Sequence, residues 1–280
     1  MTRSTPGTPA AFAAALRARE RLVGYWSVLD SPVSTERIAR LGYDYVALDA
    51  QHGLIEYTGL LASLTAIDTK GSTAVGLVRV EANDPSPIGR ALDAGAAGVI
   101  VPLVDTARDA ADAVAAVRYP PVGRRSYGPM RSALRIGPHP AEAHEQTVVL
   151  AMIETAEGLA NVAEICATEG LDGVYVGPSD LRIAIGGATS TDPAVADRFE
   201  AALVTVREAA AAAGIAAGIH NADGASAAAR LAQGFTFATV SSDLAHLEQI
   251  AGRHLADALP DAGRVDGNGP DDDGQGGEPR

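Results

Sequence analysis

The sequence has almost no cysteine: Cys166 stands alone among 280 residues. No disulfide can close within the chain, and the position of Cys166 on the apolar side of NVAEICATEG predicts a buried, inert thiol. Long hydrophobic runs are also missing, since no stretch of about 18 apolar residues occurs. The opening MTRSTPGTPAAFAAALRARE has neither the apolar core nor the cleavage signature of a signal peptide, so the expectation is a cytoplasmic protein without a membrane span. Aromatic residues make up only 4%, which leaves Ala, Val, Leu and Ile to fill the core. Positive charge is in deficit, 22 Lys and Arg against 35 Asp and Glu for a net charge of −13. That balance disfavours nucleic acid and anionic membrane surfaces, both polyanions, and leaves small molecules as partners. A nucleotide enzyme is disfavoured too. There is no GxxxxGK loop followed by Ser or Thr, and AGAAG precedes a strand where a dinucleotide fingerprint follows one.

What is present is repetition. A hydrophobic share of 47% with 20% charged residues belongs to a chain that buries a large core. Eight short apolar runs recur along it: LVGYWSVLD, YDYVALDA, TAVGLVRV, AAGVIVPLV, TVVLAMIE, LDGVYVGP, GIAAGIH and FTFATVSS. Between them lie amphipathic stretches of helical period, among them TERIARLG, SPIGRALDAG, ARDAADAVAAVR, EGLANVAEICATEG, DRFEAALVTVREAAAAAG and DGASAAARLAQG. Runs apolar on both faces suit parallel strands covered on both sides, and eight βα units predict a single-domain (β/α)8 TIM barrel more than an open doubly wound sheet. The expected layout is a flexible segment 1–10, the barrel with a C-terminal helix over 11–258, and a disordered, acidic Gly/Pro/Asp-rich tail 259–280.

Glycines close the helices at Gly42, Gly95, Gly170, Gly214 and Gly234, where a left-handed C-cap is needed, and so mark the bottom of the barrel. Functional groups belong at the opposite ends of the strands. Strand two ends in Asp49-Ala50-Gln51-His52, strand three in Arg79, strand five in Glu154, and strand six in Gly177-Pro178-Ser179-Asp180. Each has an ordinary explanation: Ser179 or Asp180 as a cap, Glu154 favouring a helix N-terminus, Arg79 pairing with a core carboxylate. Together they make a constellation that capping does not require. Glu154 and Asp180, without Cys or a second strand-end His, form a hard, oxygen-rich donor pair suited to Mg²⁺, Mn²⁺ or Co²⁺. Such an ion, with positions left open, acts as a Lewis acid on a carbonyl and stabilises an enolate.

The segments GYDYVALDAQHGLIEY, LVRV, ALDAGAAGVIVPLVDTARDAADAVAAVRYPPVGRRSYGP, MIETAEGLANVAEI and GLDGVYVGPSDL resemble the HpcH/HpaI aldolase family, the metal-dependent class II pyruvate aldolases, from Arg21 to His254. The ordered set RYPPxGxR, IET and GPSDL carries the likeness. The resemblance implies metal ligands at Glu154 and Asp180, an enolate-stabilising Arg79 and a catalytic His52. It implies that Asp49 touches water on the metal and that Asp93 holds the histidine. The substrate carboxylate is expected at Gly177, Pro178 and the Ser179 hydroxyl, with Gln51 and Arg79 also among the substrate-binding residues. Gln51 stands where relatives often carry Glu, and Met152 where they carry Gln.

The reaction so implied joins or cleaves a bond between pyruvate, or a related α-keto acid, and an aldehyde through a metal-stabilised enolate. A Schiff-base route is disfavoured because Lys70, the only lysine, precedes strand three at the wrong end of the barrel. Two alternatives stay open: an acyl-CoA ester lyase like the citrate lyase β subunit, against which the lack of basic loops for a CoA tail counts, and a catalytically silent barrel. Arg124 and Arg125 are read either as reaching a distal substrate carboxylate or as solvent or subunit contacts. His139, His144, His220, His246 and His254 are assigned to loops, caps or solvent faces. Family likeness further implies a homotrimer or homohexamer, with the amphipathic SDLAHLEQIAGRHLADAL packing on a neighbour.

Overall fold

The eight apolar runs become eight strands. In the computed structural model, which describes residues 5–259, the order is α1 (Pro9–Arg17), β1 (Leu22–Ser27), α2 (Pro32–Ile38), β2 (Tyr45–Asp49), α3 (Tyr57–Ile67), β3 (Val75–Arg79), α4 (Pro85–Asp93), β4 (Gly98–Val101) and α5 (Ala107–Val117). There follow α6 (Pro140–Gln146), β5 (Val148–Ile153), α7 (Ala156–Ala160), α8 (Val162–Cys166), β6 (Gly173–Val176), α9 (Pro178–Ala184), α10 (Ala196–Ala213), β7 (Ala216–Asn221), α11 (Gly224–Ala232), β8 (Phe237–Ser242) and α12 (Asp243–Ala258). All neighbouring strands pair in parallel, and β8 returns to β1 to close the barrel, with a register shift between Tyr25 and Trp26. The barrel unit runs to Leu244, and the rest of α12 begins a separate unit at Ala245. Helix α1 starts at Pro9, capped by the Thr8 hydroxyl, two residues inside the span expected to be flexible. The expected acidic tail falls, from residue 260 on, outside the described residues.

Two packing layers share the work. Between strands and helices the filling is aliphatic, as the composition suggests: Val46, Leu48, Val99, Ile153, Val174 and Ile219 meet Leu60, Leu92, Val114 and Leu203. The barrel lumen differs from the expectation. Trp26, Tyr45, Tyr175 and Phe237 fill it, with Phe12 of α1 entering from below, because small residues opposite make room. A Cβ at Gly24 would overlap the Tyr45 ring, and one at Gly218 the Phe237 ring. Tyr45 and Tyr175 hydroxyls both bond Thr239 Oγ1 at 2.7 Å.

The five helix-closing glycines all adopt the positive φ expected of them, from 74° at Gly214 to 108° at Gly234. One expected helix is broken. EGLANVAEICATEG splits at Asn161, whose Nδ2 donates to the Asp105 carbonyl at 2.8 Å while its own backbone leaves the helical range; an amide side chain that competes with the backbone does this. Cys166 is buried and free, its thiol pushed up to about 12 by burial.

Candidate active site

Ser179 and Asp180 do not cap a helix by a side-chain bond, and neither does Glu154. Helix α9 is capped by Gly177 with no side-chain cap bond, and α7 by the Thr155 hydroxyl, which accepts from the Gly158 amide. Asp180 lies in the first turn of α9 but makes no capping hydrogen bond there. A cavity of about 220 Å³ lies instead at the C-terminal mouth of the barrel, where His52, Arg79, Gly177, Pro178, Ser179 and Asp180 meet Trp26, Met152, Tyr175 and His220.

Arg79 is fixed by Asp49. Its Nε donates to Asp49 Oδ1 at 2.8 Å and its Nη2 to Asp49 Oδ2, a two-point pair. Trp26 Nε1 adds a bond to Oδ2 at 3.2 Å, and the guanidinium carbon lies 5.0 Å from the Trp26 ring centroid. The amides of Gln51 and His52 donate to Asp49 Oδ1 at 3.1 and 3.2 Å. Burial alone would raise the Asp49 pKa, but the Arg79 bonds and charge, helped by these amides, outweigh it and hold the carboxylate below its usual value. The ordinary reading of Arg79 as a core ion pair is therefore correct, and Nη1, outside that pair, is still available to the cavity.

Glu154 is 4% exposed. Burial raises its pKa most; the Leu103 amide, donating to Oε1 at 2.8 Å, opposes this, and the nearby negative charge of Asp180 raises it again. Leu103 delivers that amide from a left-handed conformation, φ 52°, which is unusual for a branched side chain and marks a loop held in place by its surroundings. Oε2 faces Gly177, where a Cβ would stand only 2.6 Å away; only glycine leaves this oxygen uncovered. A buried carboxylate and an exposed one that repel each other, with one oxygen kept open, fit a hard divalent cation, whose charge would relieve the repulsion. Among the described residues no three His, Cys, Asp or Glu side chains converge on one point.

Within this chain several of the expected residues lie away from the cavity. Asp93 is not brought to His52: it closes α4, at the bottom of the barrel, and receives Arg125 Nη2 at 2.6 Å. Arg125 is buried there over the Tyr119 ring, and Arg124 reaches Asp112 at 3.4 Å, so neither arginine lies at the mouth of this chain. Gln51 does not line the cavity; its Oε1 is buried without a hydrogen-bond partner.

His220, assigned from the sequence to a loop or solvent face, lies in the cavity wall, edge-on to Trp26 at 5.4 Å. Burial, and then the Arg79 charge, push its pKa down to about 4, so it is neutral, with Nδ1 buried and unpartnered. The signal was available: GIAAGIH ends in a polar residue as strands two, three, five and six do. His144 does serve a loop, its Nε2 accepting the Tyr119 amide at 2.8 Å.

The model of the HpcH/HpaI aldolase/citrate lyase family matches residues 22–249. A hydroxypyruvate/pyruvate aldolase of Rhizorhabdus wittichii is 44% identical over 241 residues, 86% of this chain and 94% of the relative. A 5-keto-4-deoxy-D-glucarate aldolase of Klebsiella pneumoniae is 38% identical over 255 residues, 90% of this chain and 97% of the relative. Among solved structures, an HpcH/HpaI aldolase/citrate lyase family protein of Burkholderia cenocepacia superposes with a TM-score of 0.80 at 32% identity, covering 89% of this chain and 99% of that one.

Proposed function

Since the chain belongs to the HpcH/HpaI aldolase/citrate lyase family and is a carbon–carbon lyase of the aldolase kind, we propose that it makes or breaks the bond between pyruvate, or a related α-keto acid such as hydroxypyruvate, and an aldehyde. The observation that carries this reading is the cavity lined by Arg79, His52 and Asp180, with Asp49 anchoring Arg79 and the Glu154 carboxylate lying behind Gly177 of the wall.

Glu154 and Asp180 would hold a divalent cation, Mg²⁺, Mn²⁺ or Co²⁺. When bound, such an ion supplies a Lewis acid for the keto group. The chain's own residues do the rest. Arg79, which cannot swing while Asp49 grips Nε and Nη2, offers Nη1 to the oxygen that gains charge as the enolate forms; a preorganised cation is worth most where water is scarce. The Ser179 hydroxyl and the backbone amides of Ser179 and Asp180 bind the keto-acid carboxylate. His52, exposed at the lip, assists the base that removes the proton from the methyl carbon and later returns one. Trp26, Tyr175 and Met152 keep the floor dry. Met152, in place of a hydrogen-bonding residue, adds apolar surface rather than a donor. In the assembled protein we expect a trimer or hexamer.

The test is condensation of pyruvate or hydroxypyruvate with a panel of aldehydes, with and without EDTA, for the wild type and Glu154→Ala. Activity should vanish with chelator and in the variant; activity surviving both treatments would remove the metal-enolate reading.

A further inference from the structure

A second cavity, of about 410 Å³, opens beside the first and shares Pro178, Ser179 and His220 with it. The function proposed above makes no use of it. Its remaining walls bring Arg182 of α9 together with Phe199 of α10, Asn221 at the end of β7, and Ser226 and Arg230 of α11.

Its two guanidinium groups are not equivalent. Arg230 is occupied: Nη1 and Nη2 donate to the Glu200 carboxylate at 2.6 and 2.7 Å, and Nη1 also to Gln233 Oε1 at 2.9 Å. Arg182 lies over the Phe199 ring, 4.0 Å from its centroid, and has one long bond, from Nη1 to the Ser190 carbonyl at 3.4 Å. Among the described residues no carboxylate lies within ion-pair distance of it. Of the residues that line the cavity two are cationic and none is a carboxylate, and with Arg230 matched by Glu200 the donors of Arg182 are the ones largely unspent. A fork of this kind, stacked on an aromatic ring, matches a carboxylate or phosphate. At the junction of the two cavities stands His220, its buried Nδ1 without a partner. Buried polar atoms are almost always satisfied, so one left open at a cavity wall points to a ligand group.

We propose that the second cavity is the acceptor subsite, which takes the tail of the aldehyde, and that Arg182 selects aldehydes ending in an anionic group. This rests on the aldolase reading of the first cavity. The aldehyde carbon faces the enolate, and the new bond joins it to the keto acid's methyl carbon while the aldehyde oxygen takes up a proton to become the hydroxyl. The tail passes His220 toward Arg182.

With pyruvate as donor, kcat/KM is measured for succinic semialdehyde and D-glyceraldehyde 3-phosphate and for their neutral counterparts, butyraldehyde and D-glyceraldehyde. At least one anionic aldehyde is expected to be favoured by about tenfold or more, mainly through KM, as a charge-assisted bond provides. The two anionic probes separate carboxylate from phosphate recognition. Arg182→Gln should abolish the preference, lowering kcat/KM for the anionic substrate about tenfold and for the neutral one much less. Arg182→Lys, which keeps charge without the fork, should retain part of it. Equal kcat/KM for charged and neutral aldehydes, or an equal fall for both in Arg182→Gln, overturns the subsite. Exchange of the pyruvate methyl protons in D₂O, followed by NMR on the wild type without aldehyde, separates the two proposals. Its absence brings down the aldolase reading and the subsite together, whereas exchange without anion preference brings down the subsite alone.

Discussion

Arg79 and His220 both lie against the Trp26 ring, and the charge of the first bears on the titration of the second. Asp49 pairs with the Arg79 guanidinium; a buried pair of this kind adds little net stability, but it fixes a guanidinium where negative charge is to develop. Burial first, and then the same charge, drive the His220 pKa from 6.5 to about 4. The folded protein therefore refuses a proton that the unfolded chain accepts. The stability linked to His220 is complete above pH 6.5 and is lost as pH falls from there toward 4, by an amount on the order of 3 kcal/mol. Denaturant titrations between pH 7.5 and 4.5 should show a clearly shallower pH slope for His220→Leu than for the wild type. Equal slopes would mean that the imidazole titrates normally in the fold. At this scale the site was partly legible. Strand-end position alone selected Asp180, Arg79 and His52, which line the cavity, and Glu154, which lies behind Gly177; His220 ends the seventh apolar run in the same way, and Asp93 lies at the bottom of the barrel in this chain.

Among the elements, the seam where β8 meets β1 depends on one acid. Asp243, 8% exposed at the start of α12, accepts from Ser27 Oγ at 2.6 Å, from the Val28 amide at 2.9 Å and from the Leu29 amide at 3.2 Å. These bonds tie the last strand's exit to the end of the first, where no further ladder bond is available. Asp243→Ala strands a hydroxyl and two amides and should cost about 2 to 4 kcal/mol, while Asp243→Asn, keeping one acceptor, should cost roughly half as much. Denaturant midpoints for the two variants check the order. Strands and most helices were readable because a buried strand must be apolar on both faces and a helix must end somewhere. The break at Asn161 was not, since it depends on a carbonyl 56 residues away in sequence. Aromatic filling of the lumen was also hidden, because composition counts rings without saying that Gly24 and Gly218 make room for them.

For the whole molecule, the proposed binding of an ion to Glu154 and Asp180 would also add stability, since the unfolded chain does not hold the two carboxylates together. At about one hundred times its dissociation constant, an ion that binds only the folded state adds about 2.7 kcal/mol, or roughly 5 to 10 °C in Tm for a domain of this size. Mn²⁺ or Mg²⁺ should raise the Tm of the wild type by that order and leave Glu154→Ala unmoved; an equal rise in both would place the ion elsewhere. Sequence by itself determined the barrel, its polarity and the candidates at its mouth, because periodicity, helix-closing glycines and strand ends are local properties of the chain. Only the tertiary structure decided that Asp49 anchors Arg79, that Asp93 pairs with Arg125 at the far end, that His220 is a neutral wall residue, and that a second cavity continues past it. Each of those depends on which side chains from distant strands meet in low-dielectric surroundings, and no local pattern encodes that.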